Sequence, residues 1–135
     1  MTGTLLALFV AVPLLSGGAL IAIPHRTRLH QVALLTILAL LTAGAVALVA
    51  ATRDGTVLAH GIGAWPFGIA IPFVADTFSA LMLTVTGLLS LVCAWFATLT
   101  QVGRTRYLAP TVLILVAGVN GGLLTGDIFN LFVFI

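Results

Sequence analysis

Residues 32–51 read VALLTILALLTAGAVALVAA, a run with no charge and no proline. A helix of about 20 residues rises about 30 Å, the thickness of a bilayer's hydrocarbon core. Arg53-Asp54-Gly55 follows as a turn signal. Similar runs lie on both sides. The apolar pattern predicts helices over about 4–23, 32–51, 76–100, 108–124 and 127–135. The last, ending in Phe-Val-Phe-Ile135, covers about 12 Å and is the start of a fifth span rather than a whole one. The predicted fold is therefore all-α and membrane-embedded, with four spanning helices and part of a fifth in a single transmembrane region.

Composition agrees. Of 135 residues, 61% are hydrophobic and 6% charged, against about 25% charged in ordinary soluble domains. One soluble core of this size could not hide so much apolar surface. The net charge of +2 comes from five Arg and three Asp, with no Lys and no Glu. Scattered Arg make no nucleic-acid footprint. Cys93 is the lone cysteine, so no intrachain disulfide forms; inside an apolar run it reads as a buried, inert thiol. The first run has no basic residue before it and is long, so it reads as a retained helix rather than a cleaved signal.

The connections differ in character. Pro13 and Gly17-Gly18 kink or thin the first helix, and Pro24 stops it. The linker from His25 to Gln31 is short and basic. Residues 56–75 carry Pro66, Pro72 and several Gly around Trp65, which excludes a straight span. An ordered extramembrane loop, with a short β-hairpin as one form, fits better, and Trp65 suits the interface. Arg26, Arg28, Arg104 and Arg106 fall on one side of the membrane. The positive-inside bias makes that side cytoplasmic and places the N-terminus, the Trp65 loop and the Thr125-Gly126-Asp127 turn outside.

Candidate chemistry is sparse. His25 and His30 flank one linker and His60 lies on the other side, so the four converging ligands a zinc ion needs are missing. All three read as solvated or headgroup-facing, and neither a metal nor a cofactor is expected. No nucleophile–base pairing or phosphate loop is present, so no enzyme activity is expected. Gly118 and Gly122 form a G-x-x-x-G step that lets helices approach closely. Asn120, between them, reads either as an interhelical hydrogen-bonding group or as the lining of a hydrated path. Asp127 and Asn130 share a helix face; Asp127 reads as an N-cap or as part of an ion access on the outer side. Asp76 carries the same pair of readings. Thr84, Thr86 and Ser90 are expected to bond to the backbone one turn earlier.

The stretch NGGLLTGDIFNLFVFI, Asn120 to Ile135, resembles the fourth-to-fifth helix junction of the D-type polypeptide of Mrp-type multisubunit Na⁺/H⁺ antiporters. Its G-D-(L/I)-F-N-L-F-V-F core is rather specific to that polypeptide; complex I and membrane-bound hydrogenase subunits carry looser versions. VADTFSALM, Val74 to Met82, and the Trp-Pro-Phe-Gly loop before it are similar to the start of the third helix in the same superfamily. The resemblance implies a subunit of about fourteen helices in a prokaryotic cell membrane, its N-terminus outside, assembled with other subunits and moving Na⁺ and H⁺. It also implies a buried Glu on the fifth helix paired with a Lys on the seventh. This chain has neither residue type, and the motif's Glu comes just after the Phe-Val-Phe stretch. The 135 residues are expected to be the first quarter to third of such a subunit, contributing to the first half-channel bundle and not exchanging ions alone. Only Asp76, Asn120, Asp127 and Asn130 match polar positions of the pattern. Two other readings stand beside this one: a proton-translocating subunit of a complex I or hydrogenase type complex, and a small structural or assembly membrane protein.

Overall fold

A computed structural model describes residues 3–62 and 71–135, so the expectations about Trp65 and the Trp-Pro-Phe-Gly stretch fall outside the described residues. The chain opens with a 3-10 helix, Gly3–Ala7, that runs into α1, Leu8–Ala22. Then come α2 (Thr27–Thr52), β1 (Leu58–Ile62), β2 (Ile71–Ala75), α3 (Thr77–Leu99), α4 (Leu108–Leu124) and α5 (Ile128–Phe134). Among the described residues, three helical stretches are long and apolar enough to cross a membrane: Leu5–Ala22, Thr27–Thr52 and Thr77–Leu99. The 17 residues of α4 are also apolar and rise about 26 Å.

Two boundaries move. The first span is not one regular helix from its start, because its first turn is wound as a 3-10 helix, a common form at helix ends. The second helix starts at Thr27, not Val32, and so absorbs Arg28, Leu29 and His30 from the expected linker. No breaker follows Pro24, and His30 N–H already donates to Arg26 O at 3.0 Å. The His30 ring lies over this extra turn, its Nδ1 3.1 Å from Arg26 O.

α1 packs along α4, and α2 along α3. The α1–α4 seam is tight. A Cβ on Gly17 would lie 3.1 Å from the Pro110 carbonyl oxygen and 3.0 Å from Ile114 Cγ1. One apolar core, at the hairpin end, gathers Leu6, Phe9, Leu48, Phe73, Leu83 and Leu124. The other, at the Arg-bearing end, gathers Leu20, Leu34, Leu38, Ala94, Leu113 and Val116. Outward positions stay apolar too: Leu15 is 71% exposed, Leu40 67% and Leu99 72%. Apolar inside and outside together mean that lipid is the solvent.

Cys93 belongs to that outer surface, contrary to the expectation of a buried thiol. It shares a helix face with Leu89, Val92 and Phe96, all exposed. Hydropathy located Cys93 in the span but could not choose its face.

The hairpin forms as one of the expected shapes for the loop. β1 and β2 pair antiparallel, from Leu58 opposite Ala75 to Ile62 opposite Ile71. Alternation along β2 buries Phe73 and Ala75 against the bundle end.

Candidate functional site

The polar residues singled out from the sequence gather near the end of the bundle that carries the hairpin. Asp127 opens α5: its Oδ1 accepts the Phe129 N–H at 3.1 Å, so it caps the helix. Its other oxygen, Oδ2, accepts from Asn130 Nδ2 at 3.2 Å. Asn130 is buried while Asp127 is exposed, so the pair runs from surface into protein. Beside it lies a cavity of about 220 Å³ bordered by Gly122, Thr125, Gly126, Asp127 and Leu131.

The break between α4 and α5 is set by the hairpin. Gly126 N–H donates to Pro72 O at 2.9 Å, and Thr125 bridges Phe73 in antiparallel fashion. A Cβ on Gly126 would lie 2.7 Å from Val74 Cγ2, so the turn sits flush on β2. Nothing in the local spelling of Thr125-Gly126-Asp127 names strand β2 as its partner. This connection was invisible in the sequence.

Asn120 is buried, and its Nδ2 donates to the Phe9 carbonyl at 3.0 Å. The carbonyl needs this bond. In a regular helix Phe9 O would accept from the N–H of residue 13, and Pro13 has none. The amide of α4 thereby satisfies a group that a proline in α1 has orphaned. The geometry gives Asn120 an interhelical partner.

The glycines of α4 face α5 unequally. A Cβ on Gly118 would stand 3.4 Å from Phe134 O, and one on Gly122 would stand 3.6 Å from Leu131 Cδ1. A Cβ on Gly121 would run into the Phe134 ring. The most closely approached glycine is therefore Gly121, the one beside the G-x-x-x-G pair.

Asp76 stands apart, as the N-cap of α3. Its Oδ1 accepts Ser79 N–H at 2.7 Å. Hydrogen bonds from the Ser79 backbone, then from its hydroxyl, hold the carboxyl below its usual value. Thr77 Oγ1 donates to Thr52 O at 2.7 Å, tying the start of α3 to the end of α2. Thr84 Oγ1 donates to Ala80 O at 2.9 Å, one turn earlier.

At the opposite end, His30 corrects an expectation. It is not solvated; it is 3% exposed. Its Nε2 lies 3.1 Å from Leu20 O and its Nδ1 lies 3.1 Å from Arg26 O. Leu20 O would have paired with the N–H of residue 24, which is Pro24. A second proline in the α1 region thus leaves a carbonyl for a distant side chain. His25, with its ring 4.7 Å from that of His30, reaches Arg104 O at 3.2 Å and joins the two Arg-bearing linkers.

This arrangement of four packed helices, a capping hairpin and a broken fourth-to-fifth connection superposes on one chain of the Mrp complex from a Dietzia species. The TM-score is 0.96 at 52% identity, covering 99% of this chain and 25% of that one. The chain is homologous to the D-type polypeptides of Mrp antiporters. The D-type polypeptide of the Na(+)/H(+) antiporter of Alkalihalophilus pseudofirmus is 44% identical over 81 residues, which is 58% of this chain and 16% of the relative. Its counterpart in the probable K(+)/H(+) antiporter of Rhizobium meliloti is 34% identical over 136 residues, 96% of this chain and 25% of the relative. This chain thus spans a quarter or less of the length of these relatives. A chain of the membrane-bound sulfane sulfur reductase, an archaeal respiratory complex, also matches, with a TM-score of 0.77 at 29% identity over 96% of this chain and 27% of that one. No protein-family model matches. Together with its long apolar helices, these likenesses make the chain a multi-pass membrane protein.

Proposed function

We propose that this chain contributes helices to the first half-channel bundle of a monovalent cation/proton antiporter, working with other subunits in the plasma membrane of a prokaryote. The carrying observation is the α4–α5 junction, where Asp127 borders a cavity and its carboxylate holds the buried Asn130, in a fold shared with the Mrp complex. A carboxylate offers about four lone-pair sites. The Phe129 and Asn130 bonds leave capacity on Asp127 for a passing cation or proton. Asp76, also exposed, would serve at the same surface, with Asn120 deeper in the bundle. Transported ions, Na⁺ and H⁺, are the substrates, and the chain has no enzymatic role in this reading. The four Arg at one end favour a cytoplasmic location for it, with the N-terminus, hairpin and Asp127 outside.

The test separates charge from capping. Asn caps a helix as well as Asp does, so Asp127→Asn keeps α5 and removes the charge. In vesicles holding the full-length protein within its complex, Na⁺-dependent proton flux should fall severalfold with protein level unchanged. Unchanged flux would leave Asp127 as a cap alone. A wild-type complex without cation-dependent flux would defeat the antiporter reading and favour the second one, a proton-translocating respiratory subunit, which the likeness to the sulfane sulfur reductase supports.

A further inference from the structure

An apolar groove of about 520 Å³ runs between α2 and α3, lined by Leu35, Thr36 and Ala39 on one side and Leu91, Val92 and Trp95 on the other. It lies in the half of the bundle nearer the Arg-bearing end: Leu35 is in the third turn of α2, and Trp95 is one turn before the last residue of α3. Arg28, Val32, Leu35 and Ala39 recur at spacings of four, three and four, so they form one face of α2. Arg28 therefore stands at the mouth of the groove, exposed, about 10 Å from Leu35 along the helix. Val32, 63% exposed, continues the slot between them.

Charge at this end is of one sign. Arg26, Arg28, Arg104 and Arg106 are all exposed there. The three Asp lie elsewhere: Asp54 follows α2, Asp76 precedes α3 and Asp127 follows α4, all at the opposite end. The His25–Arg104 bond draws the two basic linkers together. Among the described residues no Asp stands at this end to neutralise the guanidinium above the groove.

We propose that this groove is a binding site for an anionic phospholipid, one acyl chain lying between α2 and α3 against Trp95 and the phosphate headgroup meeting Arg28. The slot is apolar where a chain would lie and cationic where a headgroup would lie. A zwitterionic lipid fits the slot equally but lacks the net charge that Arg28 selects.

The full-length polypeptide, purified in mild detergent, would be examined by native mass spectrometry with phosphatidylglycerol and phosphatidylcholine of matched chains. Phosphatidylglycerol should be retained preferentially. Arg28→Gln should cut that preference roughly fivefold, as for one cation withdrawn from an anionic interface. Arg106→Gln should cut it less, and Ala39→Phe, which fills the slot, should reduce retention of both lipids. Equal retention of the two lipids overturns the proposal, as does an equal loss in the two Arg variants, which would mean diffuse attraction. Displacement by inorganic phosphate with Ala39→Phe inert would mean a headgroup site without a chain, also against it. A photo-crosslinker at Ala39 in native membranes should capture lipid; capture of a protein segment would show that another helix fills the groove and would overturn the assignment.

Discussion

The side-chain amide of Asn120, on α4, donates to the carbonyl of Phe9 at 3.0 Å, and Phe9 is the residue whose helical partner is removed by Pro13. His30 stands in the same relation to Leu20 and Pro24. Each proline leaves a carbonyl of the first span unpaired, and each carbonyl is met by a buried side chain from a different helix. In hydrocarbon an unpaired carbonyl has no water to turn to. These two bonds therefore fix where α1 sits against α4 and how it turns into α2.

Removing the Asn120 amide should be costly only while Pro13 is present. Asn120→Leu should destabilise the protein by about 1 kcal/mol, since Phe9 O is left buried and unpaired. In a Pro13→Ala background the helix can supply its own N–H, and the same substitution should cost less. A double-mutant cycle on thermal melting of the full-length protein in detergent reads the difference. Equal losses in both backgrounds would refute the link.

His30→Leu should destabilise by about 1–3 kcal/mol, because it strands the Leu20 carbonyl at the end of α1 and empties a buried position in the first turn of α2. Amide exchange should rise at residues 27–31 and stay unchanged in α3. A variant as stable as the parent would mean that water reaches the Leu20 carbonyl.

Among the glycines of α4, Gly121→Ala should be the damaging change. Its methyl would meet the Phe134 ring, and relieving such overlap costs about 1–3 kcal/mol. Gly118→Ala and Gly122→Ala meet neighbours at ordinary contact distances and should be near neutral. Assembly and melting of the three full-length variants, compared side by side, decide it; a Gly122 variant worse than the Gly121 one would contradict the packing.

Asp76 should make stability fall in acid. Its carboxyl is held below the ordinary value of 3.8 by bonds donated from Ser79. The folded state thus favours the carboxylate, and that stabilisation is fully present above the unfolded pKa. It is lost as pH falls through the lower folded pKa. Asp76→Asn keeps the cap without titrating, so its melting temperature should decline less than the parent's below about pH 4. Parallel curves for the two proteins would rule this out.

Spans and caps were legible in the sequence because each depends on neighbours along the chain; the hairpin was one of the shapes open to its loop. A run such as residues 32–51 declares its length and polarity, and Asp76 and Asp127 cap N–H groups three and two residues away. Cys93 was legible in depth but not in facing, since hydropathy averages over a helix turn. His30 was misread because its worth depends on a carbonyl ten positions back that Pro24 had freed. The resemblance to the Mrp polypeptides rested on a short motif that includes Asp127 and Asn130, yet the seating of that motif on Pro72 and Phe73 is a long-range contact.

By itself, then, the sequence determined that the chain lives in lipid, roughly where its spans lie, and which polar residues are few enough to matter. Only the tertiary structure decided that α1 lies on α4 and α2 on α3, that strand β2 seats the α4–α5 break, and that Gly121 approaches α5 more closely than Gly118 or Gly122. The physical reason is the uniformity of the apolar surface. In a chain greasy on every face, hydropathy cannot choose neighbours. That choice falls to the few groups whose needs are directional or steric, namely carbonyls orphaned by prolines, the amide and imidazole that reach them, and glycines where backbones close in.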